Sequence, residues 1–188
     1  MAGKVQTYYR TLYEVSKAIT SSLDPEEVLN IIAEQAAKAL RAKACNIRLL
    51  DKDKEHLLAG AYYGLSKGYL RKGKIDIKKS GIDAEVLKGN NVYIEDACND
   101  ERFQYPEAAK AEGLASIMVV PLKHEEKKVI GVLRVYSEKV REFKEDEIEF
   151  LTILANISAI AIENARLHHA LQTAFDLSNA FHYQTFDD

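Results

Sequence analysis

Two cysteines, five histidines and one arginine set in an apolar run are the side chains of this sequence whose types could carry chemistry. Thiol-dependent reduction needs one thiolate to attack and a second thiol to resolve the intermediate. Cys45 lies in an apolar, strand-like stretch, where cysteine behaves as a small inert hydrophobe. Cys98 lies in a polar stretch and is the candidate redox thiol. The pair forms neither a disulfide framework nor a zinc pattern. His56 and His124 fall in predicted turns, and His182 lies near the end of the sequence. His168 and His169 are adjacent on a predicted helix, about 100° apart around its axis, and do not readily share a metal. The histidines therefore indicate neither a haem nor a metal site. No glycine-rich phosphate loop or metalloprotease motif occurs. Arg134, between Val132, Leu133 and Val135, is different: a charge in such a run must reach a partner or solvent.

The chain has 188 residues, 47% hydrophobic, enough for one domain with a sizeable core. A net charge of -3 suggests neither nucleic acid nor an anionic membrane as a partner. No apolar run approaches the roughly 20 residues of a membrane span. The first residues lack the apolar segment of a signal peptide. A reducing, cytoplasmic location is the expectation.

The elements that must position these residues centre on 115–136. Two β-branched runs, Ser116-Ile117-Met118-Val119-Val120-Pro121-Leu122 and Val129-Ile130-Gly131-Val132-Leu133-Arg134-Val135-Tyr136, flank a charged break and predict a β-hairpin buried on both faces. Pro121 is expected where strand pairing ends. Upstream, Tyr8, Leu12, Val15 and Ile19 make the stripe of a first helix. Asp24-Pro25-Glu26-Glu27 starts a second helix, to about Arg41. Strands are expected over 44–51, 57–63 and 92–94, with a brief extended piece at Ile75 and Ile77 and short helices after Ser66, from Ile82 and from Pro106. The polar segment 95–113 reads as a mobile lid, with Phe103 either swinging over a cavity or anchoring the loop. A last helix from about Lys144 carries two apolar stripes, Phe150, Leu154, Ile157 and Ala161, and Ile148, Leu151, Ala155, Ile162 and Ala165. One would face the domain and the other a second copy. Residues 1–170 are taken as one domain and 171–188 as a tail.

This order of motifs resembles a GAF domain. The resemblance is carried by Asp24-Pro25-Glu26-Glu27-Val28-Leu29, Ile47-Arg48-Leu49-Leu50-Asp51, Tyr63-Gly64-Leu65-Ser66, Gly113-Leu114-Ala115-Ser116, Val119-Val120-Pro121-Leu122 and Ile162-Glu163-Asn164-Ala165. It is most similar to the GAF modules of bacterial two-component sensors. The resemblance implies an α+β fold with a central antiparallel sheet in strand order 2-1-5-4-3. Terminal helices would cover one face, and loops with short helices would close a pocket on the other. A cyclic-nucleotide signature cannot be traced. Bilin attachment is not supported, since 103–112 holds no cysteine and Asn99 stands where an Asp-x-Cys-Phe motif needs Phe. The cofactor is left unknown. The expected pocket draws on Tyr62, Leu65, Tyr69, Leu70, Ile75 and Ile82, and on Val86, Tyr93, Asp96, Phe103, Met118 and Arg134. The leading expectation is a non-catalytic, small-molecule-binding sensory module, signalling through the terminal helices of a homodimer to an output partner. The alternatives are a reductase of the free methionine sulfoxide type using Cys98, and a dimerisation module whose pocket has collapsed.

Overall fold

A computed structural model describes residues 2–22, 24–71, 73–125 and 128–184. Helices α1 (Ala2–Ser21) and α2 (Pro25–Ala39) lead into strands β1 (Ala44–Leu50) and β2 (His56–Tyr63). The short helix α3 (Lys67–Leu70), strand β3 (Ile75–Asp76), a 3-10 turn (Ile77–Lys79), helix α4 (Gly81–Val86) and strand β4 (Val92–Ile94) follow. Helix α5 (Pro106–Glu112), the hairpin β5 (Ile117–Glu125) and β6 (Lys128–Tyr136), and the 40-residue helix α6 (Glu145–Gln184) complete the chain.

All strands pair antiparallel in one six-stranded sheet, β3-β2-β1-β6-β5-β4. The five expected strands keep their expected order. The difference is β3, which adds an edge by pairing Ile75 with Leu57, while Ile77 turns away into the 3-10 turn. Pairing of β5 with β6 also runs straight through Pro121, opposite Val132. The proline is tolerated because pairing of β5 with β4 stops at Val119, so no second neighbour asks for its missing donor.

Alternation along the strands makes two cores. On one face Cys45, Ile47, Met118, Val120, Leu133 and Val135 pack against α1, α2 and α6. Asp24 caps α2 by accepting from the Glu26 amide at 2.9 Å, and its Ile32, Ala33 and Ala36 are fully buried. The ring of Tyr8 stacks on Phe150 of α6, centroids 4.1 Å apart. On the other face Ala44, Leu57, Ile94, Ile117, Val119, Val132 and Tyr136 lie beneath the short helices and loops.

Helix α6 overturns two expectations. Both of its anticipated stripes are used inside the protomer: Phe150, Leu151, Leu154, Ala155, Ala161 and Ile162 are all buried, because α1 and α2 flank it as the sheet does. Its segment Glu145–Leu177 is also long and apolar enough by composition to cross a membrane, and 44% of its most apolar window is buried within the protomer. The helix further extends to Gln184, so most of the expected tail is its continuation, with Leu167, Leu171, Phe175 and Leu177 exposed.

Candidate functional site

The site is built on one sheet face by the register of three strands. Asn46 of β1 stands opposite Arg134 of β6, which stands opposite Val119 of β5. One step along the ladder, Arg48 stands opposite Val132. Asn46, Arg48 and Arg134 share the loop-covered face and are 3%, 2% and 5% exposed.

The cover supplies their partners. Ser80 caps α4, its hydroxyl oxygen accepting from the Asp83 amide at 3.4 Å while the hydroxyl donates to Asp83 Oδ2 at 2.6 Å. This cap aims the second oxygen of Asp83 inward, where it forms a buried ion pair with Arg134. Burial works against the charge on Arg134, but the Asp83 carboxylate together with Tyr136 and Tyr69 offsets it and holds the guanidinium above its ordinary value. Arg48 donates from Nη1 to the carbonyls of Leu57 (3.2 Å) and Gly73 (2.9 Å). It is held below its ordinary value, first by burial and then by repulsion from Arg134. The Nε atoms of both arginines, Asn46 Oδ1 and Gln104 Oε1 are buried without a hydrogen-bond partner. Tyr69 of α3 packs edge-on against the fully buried Tyr136, centroids 6.1 Å apart.

Between sheet and cover lies a narrow cavity lined by Ile75, Ser80, Ile82, Asp83, Phe103, Gln104, Tyr105 and Arg134, among others. Its free volume is ≈ 10 Å³, room for about one water. Four of the twelve expected pocket residues line it: Ile75, Ile82, Phe103 and Arg134. Leu65, Tyr69, Leu70 and Val86 belong to the same layer without lining the cavity. Asp96 instead shapes its own turn, accepting from the Cys98 amide at 3.0 Å and from Asn99 at 2.8 Å. Tyr62 is 46% exposed. Met118 and Tyr93 are corrections, for both pack with the helical-side core. Tyr93 sends its hydroxyl to the Arg141 carbonyl at 2.9 Å. Their strand parity decides this, since Val119 between Met118 and Val120 takes the other face.

Phe103 is buried and lines the cavity. The segment around it is pinned by buried Ala97, Ala109 and Leu114. Glu112 of α5 accepts from the Ser66 amide and hydroxyl, both at 2.6 Å, and so ties α5 to α3. Sequence reasoning missed Ser80, Asp83, Gln104 and Tyr105 as lining residues. Period-two alternation over β1, which sets Asn46 and Arg48 opposite the buried Cys45 and Ile47, was the available signal. Cys45 is buried under the helices, its thiol pushed up by burial. Cys98 is half-buried in the loop after β4, its Sγ 3.8 Å from the Leu114 carbonyl. Among the described residues no three histidine, cysteine or acidic side chains converge as a metal set.

The family model for the GAF domain matches residues 22–163. The chain belongs to the GAF family. Its similarity to a curated relative, the methyl sulfide methyltransferase-associated sensor of Methanosarcina acetivorans, is 27% identity over 167 residues, 84% of this chain. That match spans 16% of the relative's length, so the GAF domain compares with one part of a much longer protein. Among solved structures it resembles the GAF domain of an Acinetobacter phosphoenolpyruvate-protein phosphotransferase, with TM-score 0.71 and 26% identity over 89% of this chain and 96% of that one. It shares its fold with a free methionine-R-sulfoxide reductase from Neisseria meningitidis, with TM-score 0.70 and 21% identity over 86% and 91% of the two chains. A sensory or regulatory GAF module is the reading these likenesses give.

Proposed function

We propose that this GAF domain senses a small molecule under its loop-covered face and passes the signal through α6 in a homodimer. The observation that carries the proposal is an apolar seam on α6 that the protomer does not cover. Ile153, Ile157, Ile160, Asn164, Leu167 and Leu171 follow one another at alternating steps of four and three residues. That spacing is the seam of a two-stranded coiled coil. All but Ile157 are exposed, and Ile157 is half-buried. Asn164 falls at a core position of the seam, where one polar residue specifies register. Val5 and Tyr9 of α1 line a groove together with Ile153 and extend this face. A second copy of the chain is the occupant with the same seam to offer.

The ligand half of the proposal is supported by the buried, incompletely partnered polar groups around the narrow cavity. The relative's name as a sensor agrees with it. The output partner belongs to whatever α6 leads into. For the alternative of thiol reduction, Cys98 would need a resolving thiol, and Cys45 sits beneath the helices on the opposite face. Dimerisation without a ligand remains the outcome if nothing enters the cavity.

Sedimentation of the purified chain tests the dimer. Ile160→Glu and Leu167→Glu should weaken association at least about tenfold while leaving the fold intact, because a charge buried in a seam has no partner. Ile162→Glu should instead unfold the protomer, since Ile162 is 3% exposed within it. A wild-type chain that stays monomeric at high micromolar concentration sinks the proposal.

A further inference from the structure

Resting on the reading of the loop-covered face as the ligand site, we infer that the ligand is a small organic anion, a carboxylate, held by Arg134 and Arg48. The first argument is charge. The buried layer on this side holds two guanidinium groups, Arg48 and Arg134, and one carboxylate, Asp83. Asp83 is committed to Arg134. Arg48 faces two backbone carbonyls, which are neutral dipoles. A buried cation without a counterion is costly, and a monoanion entering here removes that cost.

The second argument is hydrogen-bond inventory. Each guanidinium keeps an unpartnered Nε donor. A planar fork with free donors matches a carboxylate in two-point geometry, which a neutral ligand does not reproduce. The two forks lie on adjacent strands, one ladder step apart. Arg134 also lines the cavity itself.

The third argument links occupancy to movement. The present volume of ≈ 10 Å³ excludes even a three-carbon acid, so entry requires the cover to open at Phe103, Gln104 and Tyr105 and at α4. In the closed state Asp83 occupies the edge of Arg134 that an incoming carboxylate would take. Exchange of one carboxylate for the other removes the ion pair that ties α4 to the sheet and leaves the helix held by its buried Ile82 and Val86. Binding energy is thereby coupled to release of an element of the cover.

The test uses the full chain with propionate, lactate and succinate as probes, against propionamide and chloride at matched ionic strength. Thermal unfolding and hydrogen exchange are read together. At least one acid should raise the unfolding temperature saturably and change exchange across 80–86 and 103–105, while propionamide and chloride do not. Asp83→Asn should bind the same acid at least about tenfold tighter, since the competing charged acceptor is gone. Arg134→Gln should abolish the response, and Arg134→Lys should retain part of it. Should Arg134→Gln fail to fold, the comparison of wild type with Asp83→Asn still decides. Propionamide acting as well as propionate overturns the anion inference and leaves the pocket reading standing. No response to any probe, in wild type and in folded Asp83→Asn alike, overturns both.

Discussion

Arg134→Met is the perturbation that most directly examines the chemistry of the covered face. Methionine matches the aliphatic stem and removes the charge, so packing is largely kept. What changes is that Asp83, whose side chain is 1% exposed, is stranded in a layer where Ser80 is its remaining side-chain partner. Breaking a buried ion pair by removing one member costs about 3–5 kcal/mol. A domain of this size shifts its melting temperature by about 2–4 °C per kcal/mol, which gives a loss of roughly 6–20 °C. Asp83→Leu should cost a similar amount by stranding Arg134 beside Arg48. The double variant Arg134→Met/Asp83→Leu should lose far less than the sum, because an apolar replacement leaves neither charge uncompensated and buried pairs are often dispensable as pairs. Urea unfolding of the four proteins of this cycle gives the coupling. A loss below about 1 kcal/mol for Arg134→Met, or a double variant as damaged as the two singles added together, refutes the ion pair as described.

Three further outcomes follow from the same structure. Timed thiol labelling of the folded protein should modify Cys98 and spare Cys45, which is fully buried; equal labelling of both would contradict the placement of β1. Gly131→Ala should cost roughly 1–3 kcal/mol, measured in urea, because an added Cβ would meet the Arg48 backbone oxygen at 2.3 Å and push β1 from β6. An unchanged midpoint would mean that the strands pair otherwise. On the acid side, the Arg102 hydrogen bond lowers the carboxyl of Asp100, and Lys4 lowers that of Asp146. Depressed folded values make their contribution complete above the ordinary carboxylate range near 4 and lost as pH falls below it. Stability should therefore decline below about pH 4, and Arg102→Gln with Lys4→Gln should flatten that decline; an identical acid limb would remove these pairs from it.

Much of the fold was legible because it rests on local signals. The apolar runs around Val119 and Val132 and the caps at Asp24 and Ser66 each fix an element from its own sequence. Arg134 was legible as the misfit in its strand. Its partner was not, because Asp83 lies in a short helix where Ser-x-x-Asp already has a sufficient local reason as a cap. Nothing in the sequence spacing joins residue 83 to residue 134; the antiparallel register and the path of the cover do so. Met118 and Tyr93 were misplaced because strands buried on both faces carry no polar alternation to report which side points where. For α6 the periodicity showed two stripes correctly, but not that α1 and α2 would cover both. The free seam, Ile153 through Leu171, emerges only once those burials are subtracted.

Native mass spectrometry of freshly purified protein tests the sensory-dimer proposal most directly, since it reads assembly and occupancy in one spectrum. The expected species is a dimer, twice the 21.2 kDa chain, carrying a small extra mass that is shed on activation to leave a bare dimer. A monomer at the mass of the bare chain would contradict both halves of the proposal.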